Sequence, residues 1–233
     1  MYSVLVISGW AHGIEAIRPL GNALSNQFDV ELMTGNEVLK TQQIPDVDCI
    51  VTGSMGGLLA IEHLPETCQK LVLISSTAKF CAGENYPCGA HEKILKRMIL
   101  QLKRNPEAVL IEFFKNVHYP YDPILTTEIQ RHGDANPLSD SEFSSVAGGK
   151  EKLEDLVAGL EYLLESDVRA KVPTLGIPVQ LFHGSEDRII PLGAAQWLDA
   201  HLLDSRLTVY EDGHGLAAHH FHEMMQEIRA FLG

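Results

Sequence analysis

Apolar positions along the chain fall into two kinds of run. Short unbroken stretches, such as Val4-Leu5-Val6-Ile7, Cys49-Ile50-Val51 and Leu71-Val72-Leu73-Ile74, are rich in β-branched residues. Runs of this length without polar alternation read as strands covered on both faces, which is the pattern of a parallel sheet. The pattern predicts strands at 2–8, 29–34, 50–52, 71–76, 179–183 and 207–210. Between them, helical spacing predicts helices at 14–25, from 55 to 64 (stopped by Pro65), at 192–202 and at 217–232. Residues 35–47 are short and polar and contain Pro45, leaving room for a helical turn or two.

The alternation breaks between residues 80 and 171. No strand is predicted there, while helical stretches are predicted at 92–104, 106–114, 139–145 and 150–165. A helical block inserted between parallel strands predicts a lid over the sheet's C-terminal edge, where ligands bind in open α/β sheets. The expected organisation is a core of residues 1–79 and 172–233 with a lid at 80–171.

One stretch organises the rest: Ile50-Val51-Thr52-Gly53-Ser54-Met55-Gly56-Gly57-Leu58-Leu59. A strand meets small residues around one serine, and a helix-forming run follows. Such a turn lifts the serine hydroxyl clear of the sheet and aims the next N–H, that of Met55, towards it. Gly53 is expected to tolerate crowding before the apex, and Gly56 to let strand and helix approach. A plain Gly/Ser-rich loop is the alternative reading, so the motif depends on its company.

That company lies at other strand ends. A serine nucleophile needs a base to take its proton and an acid to orient the base. Gly184-Ser185-Glu186-Asp187-Arg188 presents two carboxylates after one strand, and Glu211-Asp212-Gly213-His214-Gly215 presents a histidine after the last. The order Ser54, Asp187, His214 matches one known triad order and differs from the two common protease orders. His219, His220 and His222, with His214, suggest a metal cluster, but no pair joins helical spacing to a carboxylate in a ligand motif, so no metal is expected.

With Ser8-Gly9-Trp10, the Ser75-Ser76 strand end and Gly184–Pro191, these motifs identify the resemblance. The chain resembles the α/β-hydrolases, and within them the biotin-synthesis esterases acting on pimeloyl-(acyl-carrier protein) methyl ester. The resemblance implies a mostly parallel sheet with helices on both faces and an inserted helical lid. It implies Ser54 as nucleophile, His214 as general base and acid, and Asp187 rather than Glu186 as its partner. The backbone N–H groups of Trp10 and Met55 would form the oxyanion hole. Thr52 stands where the stricter motif has glycine, the strands that usually precede the first one are missing, and 35–48 is short for the family. His183 is expected to be a strand-end residue without a catalytic part, and His12 to touch substrate or pack the loop.

Composition narrows the setting. The 233 residues carry a formal net charge of −13, which argues against nucleic-acid binding. No apolar run is long enough to span a bilayer, and Val4–Ile7 follows the start with no basic flank, so a cytoplasmic protein without membrane contact is expected. The four cysteines show no metal spacing, and a disulfide is not expected in that compartment. No cofactor is expected, and the chain is expected to act as a monomer.

In this acidic chain one helix stands out. At about 100° per residue, Lys93, Lys96, Arg97, Lys103 and Arg104 share an arc of about 120°. Ile94, Leu95, Met98, Ile99 and Leu102 lie opposite, and acidic partners at helical spacing look scarce. A solvated face is one reading; a surface for an acidic partner, such as an acyl carrier protein, is the other. The sequence therefore predicts a serine esterase that removes a small alkyl group from an acyl ester, carrier-bound or free. A general short-chain carboxylesterase or thioesterase, and a hydrolase-fold binding protein with little turnover, are the alternatives.

Overall fold

The computed structural model describes residues 2–121 and 151–233. Its strands are β1 (Ser3–Ile7), β2 (Asp29–Met33), β3 (Cys49–Gly53), β4 (Lys70–Ile74), β5 (Val179–Gly184) and β6 (Ser205–Tyr210). They form one sheet in the order β2-β1-β3-β4-β5-β6, every pair parallel. The described helices are α1 (Ile14–Leu24), α2 (Gly35–Thr41), α3 (Met55–Glu62), α4 (Glu92–Leu102), α5 (Pro106–His118), α6 (Leu153–Glu165), α7 (Leu192–His201), α8 (Leu216–His219) and α9 (Phe221–Leu232).

Two-residue periodicity divides the core. In β1, Val4 and Val6 face a layer that includes Leu20 and Leu24 of α1 and Met224 and Ile228 of α9. Leu5 and Ile7 face the other layer, with Val38 of α2 and Leu58 and Leu59 of α3. Helices thus cover both faces, which explains why the central strands carry unbroken apolar runs. The outer strands β2 and β6 are only partly buried and more polar.

The sequence reading needs several corrections. The single helix expected at 217–232 is two, α8 and α9, broken at His220, whose φ and ψ are −106° and 31°. Helix α5 runs four residues past its expected end at Phe114. The 35–47 segment needs no correction: the helical turn or two expected there is α2, set by a capping box in which Thr34 Oγ1 accepts from Glu37 N at 3.1 Å and Glu37 Oε2 accepts from Thr34 N at 2.7 Å. The helix expected at 139–145 lies outside the described residues. Helices α4, α5 and α6 all lie between β4 and β5 in the chain.

Strand order also locates the site. The chain steps from β1 outward to β2, then returns to β3 on the other side of β1. A crevice opens at such a reversal, outside the C-terminal ends of the two diverging strands. Here those ends carry the Gly9–His12 loop and Ser54.

Candidate active site

Ser54 leaves β3 with φ 53° and ψ −125°, a conformation costing about 1–3 kcal/mol for a non-glycine residue. Three main-chain bonds hold it. Ser54 N donates to Ile74 O at 2.9 Å, and Ser54 O accepts from Gly57 N at 3.0 Å and from Ser76 Oγ at 3.0 Å. Ser54 Oγ itself holds no hydrogen bond among the described residues.

Close packing beneath the elbow depends on two glycines. A Cβ at Gly56 would strike Thr52 Oγ1 and the Ser8 carbonyl, and one at Gly57 would strike Ser76 Oγ. Thr52, the departure from the stricter motif, donates its hydroxyl to Ile7 O at 3.0 Å and fills the space that Gly56 leaves. Gly53 is a correction: the nearest atom to a Cβ there is Ile74 O at 3.5 Å, ordinary contact. The crowding lies after the serine.

Two amides face no partner among the described residues. Met55 opens α3, so no carbonyl of that helix accepts its N–H. Trp10 N–H also holds no hydrogen bond among the described residues. The β1 loop that carries it lies against the elbow: a Cβ on Gly9 would sit 3.0 Å from Ser54 Cβ and 3.6 Å from Ser54 Oγ. The Trp10 side chain is buried and donates Nε1–H to Leu156 O of α6 at 2.8 Å.

The structure brings Asp187 and His214 together. His214 Nδ1 lies 2.7 Å from Asp187 Oδ2, and both residues are buried. The other carboxylate oxygen accepts from Ile189 N at 2.8 Å and Ile190 N at 2.9 Å. Burial alone would raise the Asp187 carboxyl. The His214 charge and hydrogen bond, with help from His183 and the Ile190 amide, outweigh it and leave the group below its ordinary value. Glu186 is exposed and takes no part in this pairing.

Sequence reasoning missed the residues that hold these two. Ser75 Oγ donates to His214 O at 2.8 Å, while its neighbour Ser76 donates to Ser54 O. The histidine loop and the elbow are therefore tied side by side at the end of β4. His183 donates Nε2–H to Ile190 O at 2.8 Å, beneath the acid loop, and burial lowers its pKa. Asp212, fully buried, accepts from Gly213 N at 2.6 Å and from His219 Nδ1 at 2.9 Å. The signal for Ser75 and Ser76 was present as two adjacent hydroxyls closing an apolar strand.

The histidine cluster separates. His214 turns to Asp187, His219 pairs with Asp212, with His220 Nε2 3.4 Å from the same carboxylate, and His222 is exposed. No group of three or more metal-binding side chains assembles among the described residues. All four cysteines are free thiols.

The five basic residues are exposed, but α4 ends at Leu102, two residues short of the expected 92–104 helix, so Lys103 and Arg104 lie in the turn after it. Lys96 pairs with Glu92 one turn earlier, and Lys103 Nζ lies 3.5 Å from Glu161 Oε1. Lys93, Arg97 and Arg104 have no ion pair among the described residues. The buried face is Leu95, Ile99 and Leu102; Ile94 is 66% exposed and Leu100, within the basic arc, 60%.

Chemically, a hydroxyl on a sharp strand-to-helix turn, two amides without a partner among the described residues and a histidine oriented by a buried carboxylate suit nucleophilic acyl transfer. No described helix is long and apolar enough to cross a membrane.

No protein-family model matches the chain. Among curated proteins it is 33% identical over 161 residues to a pimeloyl-(acyl-carrier protein) methyl ester esterase of Nitrosomonas europaea, covering 67% of this chain and 60% of that protein. It is 32% identical over 185 residues to the protein of that name from Aromatoleum aromaticum, covering 74% and 68%. A third, from Aliivibrio fischeri, is 25% identical over 233 residues, covering 97% and 80%. The match to the Nitrosomonas protein thus spans about three fifths of that relative's length. Among solved structures, an esterase from Exiguobacterium antarcticum superposes with a TM-score of 0.80 at 17% identity, covering 100% of this chain and 92% of that one. A bromoperoxidase from Bacillus anthracis superposes with a TM-score of 0.79 at 17% identity, covering 99% and 91%. An enzyme described as an alpha/beta hydrolase, from a deep-sea metagenome, gives 0.74 at 17% identity, covering 100% and 90%. The fold is that of the α/β-hydrolases.

Proposed function

The chain belongs to the family of pimeloyl-(acyl-carrier protein) methyl ester esterases, and from that premise we propose that it is a serine esterase. It cleaves the methyl ester at the end of a pimeloyl chain carried on acyl carrier protein. Ser54 Oγ attacks the ester carbonyl while His214 takes its proton, with Asp187 holding the ring and stabilising the charge it gains. The Trp10 and Met55 N–H groups receive the developing oxyanion. His214 then returns the proton to the departing methoxide, and methanol leaves. Water, deprotonated by the same histidine, attacks the acyl-enzyme and frees the acid and the serine hydroxyl.

One observation carries this reading: the 2.7 Å bond between His214 Nδ1 and Asp187 Oδ2, beside a strained serine elbow. The free charges on α4 and in the turn after it support a carrier-bound substrate. Lys93 and Arg97 are exposed on the same stretch as the exposed Leu100, with Arg104 in the turn that follows, and such a surface suits an acidic protein that presents a long acyl chain. The inserted helices act as the lid in this reading, and specificity lies there, since the serine machinery itself accepts many esters.

Complementation tests the proposal. The gene should restore growth without biotin to a strain lacking its pimeloyl ester esterase, and its Ser54→Ala form should not. Failure of the parent gene to restore growth, with the protein expressed and folded, would remove the biotin assignment. Rescue by Ser54→Ala would remove the serine mechanism.

A further inference from the structure

Gly9, Trp10, Ala11 and His12 make a four-residue turn at the end of β1, closed by His12 N donating to Gly9 O at 3.4 Å. The third residue, Ala11, is buried and has φ 56°. A positive φ at that position belongs to turns whose central peptide is flipped, and glycine usually fills it because a Cβ crowds the backbone there. A turn built on alanine needs something to hold the central peptide, the one joining Trp10 to Ala11.

The next residue supplies it. His12 Nδ1 lies 2.8 Å from the Trp10 carbonyl oxygen. A carbonyl can only accept, so the ring carries its proton on Nδ1 and donates it. The ring is itself held, edge-on to Phe113 and Phe114 of α5, with centroids 6.2 and 5.3 Å away. Burial pushes its pKa down to about 4, against the pull of the Trp10 carbonyl, so it stays neutral at ordinary pH.

We propose that His12 is a positioning residue for the oxyanion hole: its bond to the Trp10 carbonyl fixes the Trp10 backbone and thereby aims the Trp10 N–H. The inference rests on the reading of Ser54 as nucleophile and Trp10 N–H as an oxyanion donor. The φ and ψ angles of Trp10 link its amide to its carbonyl, so a peptide free to flip at Ala11 also loosens the amide. Two of the inserted helices enter this arrangement. Helix α5 packs the His12 ring, and α6 holds the Trp10 indole through Leu156 O. The oxyanion turn has its full set of restraints only when α5 and α6 are seated.

Kinetics on a chromogenic short-chain ester test this with four proteins: the parent, Ser54→Ala, His12→Leu and His12→Asn. Leucine fills the space without a donor, whereas asparagine keeps an N–H. His12→Leu should lower kcat about tenfold to a hundredfold with KM within about twofold, because only the transition state uses the hole. Affinity for an alkyl trifluoromethyl ketone, which adds to the serine and presents an oxyanion, should fall by the same factor. His12→Asn should recover much of both. A folded His12→Leu protein with unchanged kcat and ketone affinity would overturn the proposal, as would a rise in KM alone, the mark of a substrate contact. A second readout needs no variant: the ¹⁵N shifts of His12 in the parent should show a neutral ring protonated on Nδ1, and protonation on Nε2 would overturn the proposal. If the parent hydrolyses no ester, or Ser54→Ala matches it, the nucleophile reading fails instead. The shifts still decide whether His12 holds Trp10.

Discussion

The hydroxyl of Ser75 donates to the main-chain carbonyl of His214 at 2.8 Å, with both residues buried. His214 is therefore held from two directions, by Asp187 at its ring and by Ser75 at its backbone. Ser75→Ala should leave that carbonyl buried without its donor, costing about 1–3 kcal/mol of stability. The loosened histidine should also lower kcat by about tenfold, since small misplacements of a reacting group are costly. Urea unfolding and steady-state kinetics measure the two effects. Parental values for both would mean that the bond holds nothing.

The packing of the elbow makes a paired prediction about glycines. Gly57→Ala places a methyl group against Ser76 Oγ, and Ser76 is fixed by its bond to Ser54 O. The better helix propensity of alanine, about 1 kcal/mol, should not offset that clash, so the variant should be destabilised and nearly inactive. Gly53→Ala meets only Ile74 O at 3.5 Å and should stay within about 1 kcal/mol of the parent. Melting curves that rank the two variants the other way would contradict the packing described.

Stability should fall with acidity. Burial lowers His12 and His118 from 6.5 to about 4, and lowers His183 as well. Between pH 6.5 and 4 the His12 and His118 rings are protonated in the unfolded chain and neutral in the folded one, and His183 acts in the same direction. The unfolded state then binds more protons, and stability drops as pH drops. Asp187 acts in the same sense, its contribution being lost as pH falls through its lowered value. Glu151, raised to about 7 by burial, opposes them with one proton. The melting temperature should be lower at pH 4.5 than at pH 7, with a shallower slope in His118→Leu. A flat profile would contradict it.

The basic stretch made by α4 and the turn after it should separate two substrates. Arg97 and Arg104 are exposed and have no ion pair among the described residues. Changing both to Glu should scarcely affect hydrolysis of a small free ester. With the acyl chain on an acidic carrier, the same change turns attraction into repulsion and should raise KM at least about tenfold. Salt should weaken the parent's preference for carrier-bound ester, because exposed charges are screened over about 8–10 Å. Identical behaviour on both substrates would leave the stripe a solvated face.

Much of this fold is legible in sequence because buried parallel strands must be apolar on both faces, as Val4–Ile7 and Leu71–Ile74 are. Ser54, Asp187 and His214 were locatable because glycines and polar residues punctuate those strands at their ends. Side-chain bonds to the main chain were not legible. Nothing in Ser75, Ser76 or His12 announces which carbonyl each one meets, since the partner comes from a distant strand or from a turn of unusual φ. Surface pairing failed for a related reason: Lys103, just past the end of α4, meets Glu161 of α6, far away in the chain. Periodicity placed Ile94 inside, but packing against α5 and α6 buries a narrower face of Leu95, Ile99 and Leu102. The break at His220 has no proline or glycine to mark it.

The most direct test is methanol release from pimeloyl methyl ester carried on acyl carrier protein, measured with the purified protein and with Ser54→Ala. The account predicts rapid release by the parent, one methanol per ester cleaved, and on the order of a million-fold less by the variant. Comparable release by both, or none by a folded parent that still hydrolyses small free esters, would contradict it.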